Sequence, residues 1–191
     1  MIENPEYIKV DGKKYKINTS YKVALRCNEI SMDETIGRVE KMLAIIYLLF
    51  GEEALEDKKN YEKFFELAID YLRCGEELDD EPNEEPDMSF SQDYRLIRAS
   101  FKSDYGIDIE KEDLHWWDFY TYLNGLTENC VLNRVRELRT YDTSEIKDVK
   151  EREKINRAKK RFALKQKEKP LTEKQRKSVE HFYELTGIKR R

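Results

Sequence analysis

Two histidines, three cysteines, four prolines and seven glycines are all that 191 residues carry of the types that most often do chemistry or interrupt structure. With only His115 and His181, no His–Cys or His–Asp constellation can be built at a spacing that would specify a reaction. No glycine-rich phosphate loop and no Walker lysine occurs. Cys27, Cys74 and Cys130 are odd in number and form no Cys-x-x-Cys pair, which argues against a zinc or redox motif and fits reduced thiols in a cytoplasmic compartment. A long hydrophobic run is missing too. Met42–Phe50 is the longest, far short of the roughly 20 residues a bilayer requires. The first residues lack the basic and apolar regions of a signal peptide. The expectation is therefore a non-enzymatic chain without cofactor, metal or membrane span.

Charge is what the chain has in abundance. Charged residues make up 40% and hydrophobic ones 39%, which points to helices with broad solvated faces. The net charge of −4 hides an asymmetry: residues 51–95 carry an acidic surplus of roughly ten, residues 147–191 a basic surplus of roughly ten.

Taken in order, residues 7–17 alternate apolar and polar side chains around Asp11-Gly12, the signature of a type I′ hairpin. Thr19 or Ser20 then caps a helix through Val23, Leu25 and Ile30. A second helix starts near Asp33 with a stripe of Ile36, Val39, Leu43, Ile46 and Phe50, and stops at Gly51. A third spans about 60–74, with Phe64, Ala68 and Tyr71 inward and Gly75 as its stop. Residues 76–88 combine two prolines with many carboxylates and read as a mobile acidic loop. Ser89 and Gln92 have capping-box spacing, so a helix is expected from Ser89 to Gly106. Another follows from Asp113 to Gly125, striped by Trp116, Phe119, Tyr120 and Leu123. These aromatics are expected to form the densest part of the core. Thr127 is placed to cap a helix with Val131, Val135 and Leu138 inward. From Glu145 to Lys169 a long, mostly exposed basic helix is expected, and after Pro170 a short one capped by Thr172. The fold class is mainly α, a helical bundle with a small N-terminal β-hairpin and a basic C-terminal helical extension. The division is a core domain over 1–145 and an extension over 146–191.

The candidate binding residues are surfaces, not a reaction centre. They are Trp116, Trp117 and Tyr120 in the aromatic helix, and Lys159, Lys160, Arg161, Lys174, Arg176 and Lys177 in the extension. The basic residues could bind nucleic acid, but interleaved glutamates and an acidic whole favour a solvated face or an acidic protein partner.

The run Leu-His-Trp-Trp-Asp-Phe at 114–119, with Tyr-Gly-Ile-Asp-Ile at 105–109, resembles the tail assembly chaperones of long-tailed phages and prophages of Gram-positive bacteria. Ile-Asn-Thr at 17–19, Tyr-Leu-Arg-Cys-Gly at 71–75 and Arg-Glu-Leu-Arg at 136–139 fall in the matching order. The resemblance covers about residues 7–164. It implies a non-enzymatic protein of the host bacterial cytoplasm that binds the tape measure protein, helps recruit tail tube subunits and is absent from the mature virion. It carries no catalytic residues. Self-association of the acidic and basic regions is a further expectation. The alternatives are a nucleic-acid-associated accessory protein and a structural head–tail component.

Overall fold

The computed structural model describes residues 4–76 and 86–165. Strands β1 (Tyr7–Val10) and β2 (Lys13–Lys16) pair antiparallel with Val10 opposite Lys13. Asp11 and Gly12 take φ of 48° and 83°, the two positive values of a type I′ turn. Alternation puts Val10, Tyr15 and Ile17 into the core, where Tyr15 meets the ring of Phe64 edge-on at 4.8 Å.

Among the described residues eight helices follow: α1 (Tyr21–Ser31), α2 (Arg38–Phe50), α3 (Glu52–Glu56), α4 (Tyr61–Leu72), α5 (Tyr94–Asp104), α6 (Trp116–Asn124), α7 (Val131–Thr140) and α8 (Val149–Phe162). A 3-10 turn, Lys58–Asn60, leads into α4. The expected mainly α bundle with its N-terminal hairpin is the observed architecture. Helix α1 packs on α2 and α6, α2 on α4, α5 on α6 and α7, and α7 on α8. Phe119 is the hub: Tyr21, Phe101 and Trp116 all stack on it, with centroids at 4.6, 5.0 and 5.8 Å. The fully buried Tyr21 donates its hydroxyl to Ile109 O at 2.5 Å and accepts from Tyr94 at 3.1 Å. Burial pushes the Tyr21 phenol up. Two backbone bonds, Trp116 N–H to Thr19 O and Tyr21 N–H to Leu114 O, at 2.7 and 3.0 Å, clasp the starts of α1 and α6 together.

Several helix starts depart from expectation, and so does the end of the last described helix. Helix α2 begins at Arg38, not Asp33, because the Asp33 carboxylate closes a local turn on the Thr35 amide and hydroxyl at 2.9 and 2.7 Å. Helix α5 begins at Tyr94: the Ser89 hydroxyl accepts from the Gln92 amide at 3.4 Å, but within a turn that precedes the helix. Helix α6 begins at Trp116, since Asp113 accepts from the Ser20 hydroxyl instead of from the helix amides. Thr127 does not cap α7. It bonds Asp104 through both amide and hydroxyl, while Cys130 Sγ and the buried Ser100 hydroxyl take the Asn133 and Leu132 amides.

Two stripes rotate as well. In α1 the buried face is Tyr21, Ala24 and Cys27, with Val23, Leu25 and Ile30 only half-buried beside it. In α7 Leu132 and Val135 are buried and Val131 is exposed, because Leu132 is the position that faces α5. Helix α8 runs Val149–Phe162 and not from Glu145 to Lys169: the Asp148 carboxylate caps the Lys150 and Glu151 amides, and Ala163 turns extended at φ −55° and ψ 138°. It buries no side chain completely, as expected of a helix leaning lightly on the body. The short helix expected after Pro170 lies outside the described residues, as does most of the acidic loop.

Candidate functional site

The last carbonyls of a helix have no partner within it, and the end of α4 recruits the two tryptophans for that purpose. Trp116 Nε1–H donates to Leu72 O and Trp117 Nε1–H to Tyr71 O, each at 3.0 Å. The chain reverses there through Cys74 and Gly75, whose φ values are 57° and 74°. A Cβ on Gly75 would sit 3.7 Å from the Trp117 ring, so the indole closes over this turn. Trp116 is 4% exposed; Trp117 is half-buried and stacks loosely on Tyr71 at 6.3 Å. His115 is the N-cap of α6. Its Nδ1 accepts from the Trp117 amide at 3.1 Å, so Nε2 carries the proton and donates to Pro5 O at 3.3 Å. Sequence reasoning missed this role because imidazole is not among the favoured caps.

Between α1, α4 and α6 the surface opens into a groove of about 420 Å³. Cys27, Leu72, Phe90, Trp116 and Tyr120 give it an apolar lining; Asn28, Arg73 and Glu76 supply polar groups. Tyr120 donates its hydroxyl to Glu76 Oε2 at 2.9 Å, and burial followed by that carboxylate raises its pKa. Burial pushes the thiols of Cys27 and Cys74 up to about 12, so neither is a thiolate near neutrality. Of the candidates in α6, Trp116 and Tyr120 line this groove, while Trp117 sits over the α4 turn.

Lys159, Lys160 and Arg161 occupy the last turn of α8, where cations favour the helix dipole. Lys159 donates to Tyr141 O at 2.5 Å, and Arg161 lies 5.7 Å over the Phe162 ring. No hydrogen bond or ion pair among the described residues links these three to the tryptophans. Lys174, Arg176 and Lys177 lie outside the described residues.

Arg139, the last residue of the Arg-Glu-Leu-Arg run, anchors the C-terminal helix, a role the run itself does not mark. Its guanidinium forks onto Asp93 at 2.7 and 2.8 Å and also donates to Asp87 O and Phe162 O at 2.7 and 2.8 Å. The pair is dry, with side-chain exposures of 11% and 3%. Beyond it a second groove, about 460 Å³, runs between α7 and α8 over Val131, Val135, Leu138, Tyr141 and Ile155.

Among the described residues no group of three or more His, Cys, Asp or Glu side chains is placed to hold a metal ion. Nor is any helix there long and apolar enough to cross a membrane. What the fold exposes among the described residues is apolar grooves on a helical scaffold. A family model described as Bacteriophage Gp15 protein matches residues 3–164, and the chain belongs to that family. It is thus a bacteriophage protein, and the family points to virion structure or morphogenesis. No curated protein and no solved structure matches it.

Proposed function

We propose that this phage protein is a non-enzymatic tail assembly chaperone whose groove between α1, α4 and α6 holds apolar helical segments of the tape measure protein until tail tube subunits replace it. The observation that carries this reading is the open apolar groove lined by Phe90, Trp116 and Tyr120 in a chain of a phage family. A rod-like helical protein exposes apolar stripes that associate wrongly unless covered, and a groove of this kind takes such a stripe at helical spacing. The resemblance of residues 114–119 to tail assembly chaperones of phages and prophages of Gram-positive bacteria supports the same partners and a place in the host cytoplasm.

The test separates groove from core. Phe90 is half-buried at the groove edge, so Phe90→Glu introduces charge into the groove without emptying the aromatic cluster around Phe119. The expected result is a variant with unchanged helical circular dichroism that no longer retains the tape measure protein in a pull-down. Retention equal to that of the unaltered protein would remove the groove from the account.

A further inference from the structure

The charge asymmetry of the sequence becomes a geometric fact in the fold. Residues 28–76, from α1 to the end of α4, contain twelve carboxylates and six cations; residues 131–165, α7 and α8, contain twelve cations and six carboxylates. Opposite charges this uneven attract across tens of ångströms at low ionic strength. Yet none of the ion pairs among the described residues joins one region to the other. Lys150, Arg152, Lys154 and Arg157 of α8 take part in none of them. Within the described residues α7 packs on α5 and α8, whereas α1, α3 and α4 pack on α2.

Each charged region also carries apolar surface, a groove on one and a ridge on the other. The basic face has the groove between α7 and α8, where Val131 and Tyr141 remain 41% and 45% exposed. The acidic face has a ridge. On α2, Val39 and Tyr47 are 59% and 47% exposed, with the half-buried Leu43 between them. Spacing of i, i+4 and i+8 puts the three on one line about 12 Å long. The exposed Glu34 and Glu40 lie near its start, with Arg38 and Lys41 beside them, and Glu52 and Glu53 lie beyond its end, Glu53 paired with Lys13 at 3.1 Å.

We propose that the α2 ridge of one copy, Val39–Leu43–Tyr47, lies in the α7–α8 groove of a second copy, with carboxylates around the ridge facing the cations of α7 and α8. The occupant is a second copy because the complementary charge and the ridge are both present in this chain and are not used by one another within it. The contact is heterologous: each molecule that gives its ridge still has its groove free. Such contacts propagate into an open array and do not stop at a symmetric dimer. This interface is separate from the groove at Trp116, so it stands or falls independently of client binding.

Sedimentation velocity on the full chain tests it. The mass of the unaltered protein is expected to climb continuously with concentration and to fall when salt is raised, as screening weakens the charge pairing. The ridge variant Val39→Lys/Tyr47→Lys and the groove variant Val131→Lys/Tyr141→Lys change exposed positions only. Each alone is expected to remain monomeric with unchanged circular dichroism, over a range at least about tenfold above where the unaltered protein associates. Mixed in equal amounts they should form a dimer that grows no further, since one intact ridge meets one intact groove. An unaltered protein that stays monomeric, a closed dimer at all concentrations, variants that associate as before, or a mixture that stays monomeric would each overturn the proposal.

Discussion

Arg139→Ala is expected to be among the most damaging substitutions outside the aromatic core. The guanidinium spends its donors on the two oxygens of Asp93, on Asp87 O and on Phe162 O, all within 2.7–2.8 Å. Removing it leaves the Asp93 carboxylate, at 3% exposure, with the Ser89 amide at 3.0 Å as its remaining charge-stabilising donor. Breaking a buried pair in this one-sided way costs about 3–5 kcal/mol. With a urea m-value of about 2 kcal/mol per molar, the unfolding midpoint should fall by roughly 1.5–2.5 M. The double variant Arg139→Met/Asp93→Leu should recover most of that loss, because no charge is then left buried. Since Arg139 also holds Phe162 O, amide exchange in α8 should accelerate before the body unfolds. A midpoint shift below about 0.5 M in Arg139→Ala would refute the claim that the pair is dry and structural.

Trp116→Ala, which empties a nearly sealed site and orphans Leu72 O, should cost about 3–5 kcal/mol, whereas Trp117→Phe should cost about 1 kcal/mol for one lost hydrogen bond. Urea midpoints of the two variants decide the order. The Tyr71 hydroxyl is buried with no hydrogen-bond partner among the described residues, so Tyr71→Phe should leave the midpoint unchanged or raise it by up to about 1 kcal/mol equivalent. Acid stability follows from four carboxylates held below their usual range: Asp11 by the Lys63 ammonium and the Asn60 amide, Asp104 by the Ser103 hydroxyl and the Thr127 amide and hydroxyl, Asp108 by Arg98, and Asp142 by the Ser144 amide and hydroxyl. Their folded pKa values lie below the unfolded value of about 3.9, so their contribution is complete above it and is lost as pH falls through the folded values. Melting temperature should therefore hold from neutrality down to about pH 5 and drop below about pH 4. Burial raises the Cys27 thiol to about 12, so its contribution runs the other way and is lost as pH climbs from the unfolded value toward 12.

The parts of the fold legible in sequence are those that local chemistry decides. Asp11-Gly12 fixes the hairpin because few residue pairs tolerate two positive φ angles, and Gly51, Gly75 and Gly106 stop helices at φ values of 77°, 74° and 74° for the same reason. Helix starts were less legible. Asp33, Ser89 and Thr127 all look like caps, but each spends its side chain on a turn or on a distant residue. The direction in which α2 faces was not legible either: Val39 belongs to the apolar pattern yet points to solvent, since Ile45, Ile46 and Leu49 already fill the space against α1 and α4. The short α3 escaped notice because five residues are too few to show a period. Of the groove lining, Trp116 and Tyr120 were visible as an aromatic stripe. Their partners Cys27 and Phe90, and the Arg139 anchor, depend on contacts between segments far apart in the chain, which periodicity does not encode.

In the proposed reading, the groove of Phe90, Trp116 and Tyr120 is assigned to an apolar helical client, and the α2 ridge and the α7–α8 groove to further copies. The most direct measurement is co-expression with the tape measure protein of the same phage, followed by size-exclusion chromatography with light scattering. The account predicts a soluble complex in which several copies co-elute with a tape measure protein that is insoluble when expressed alone. A tape measure protein that stays insoluble while this chain elutes by itself would contradict it.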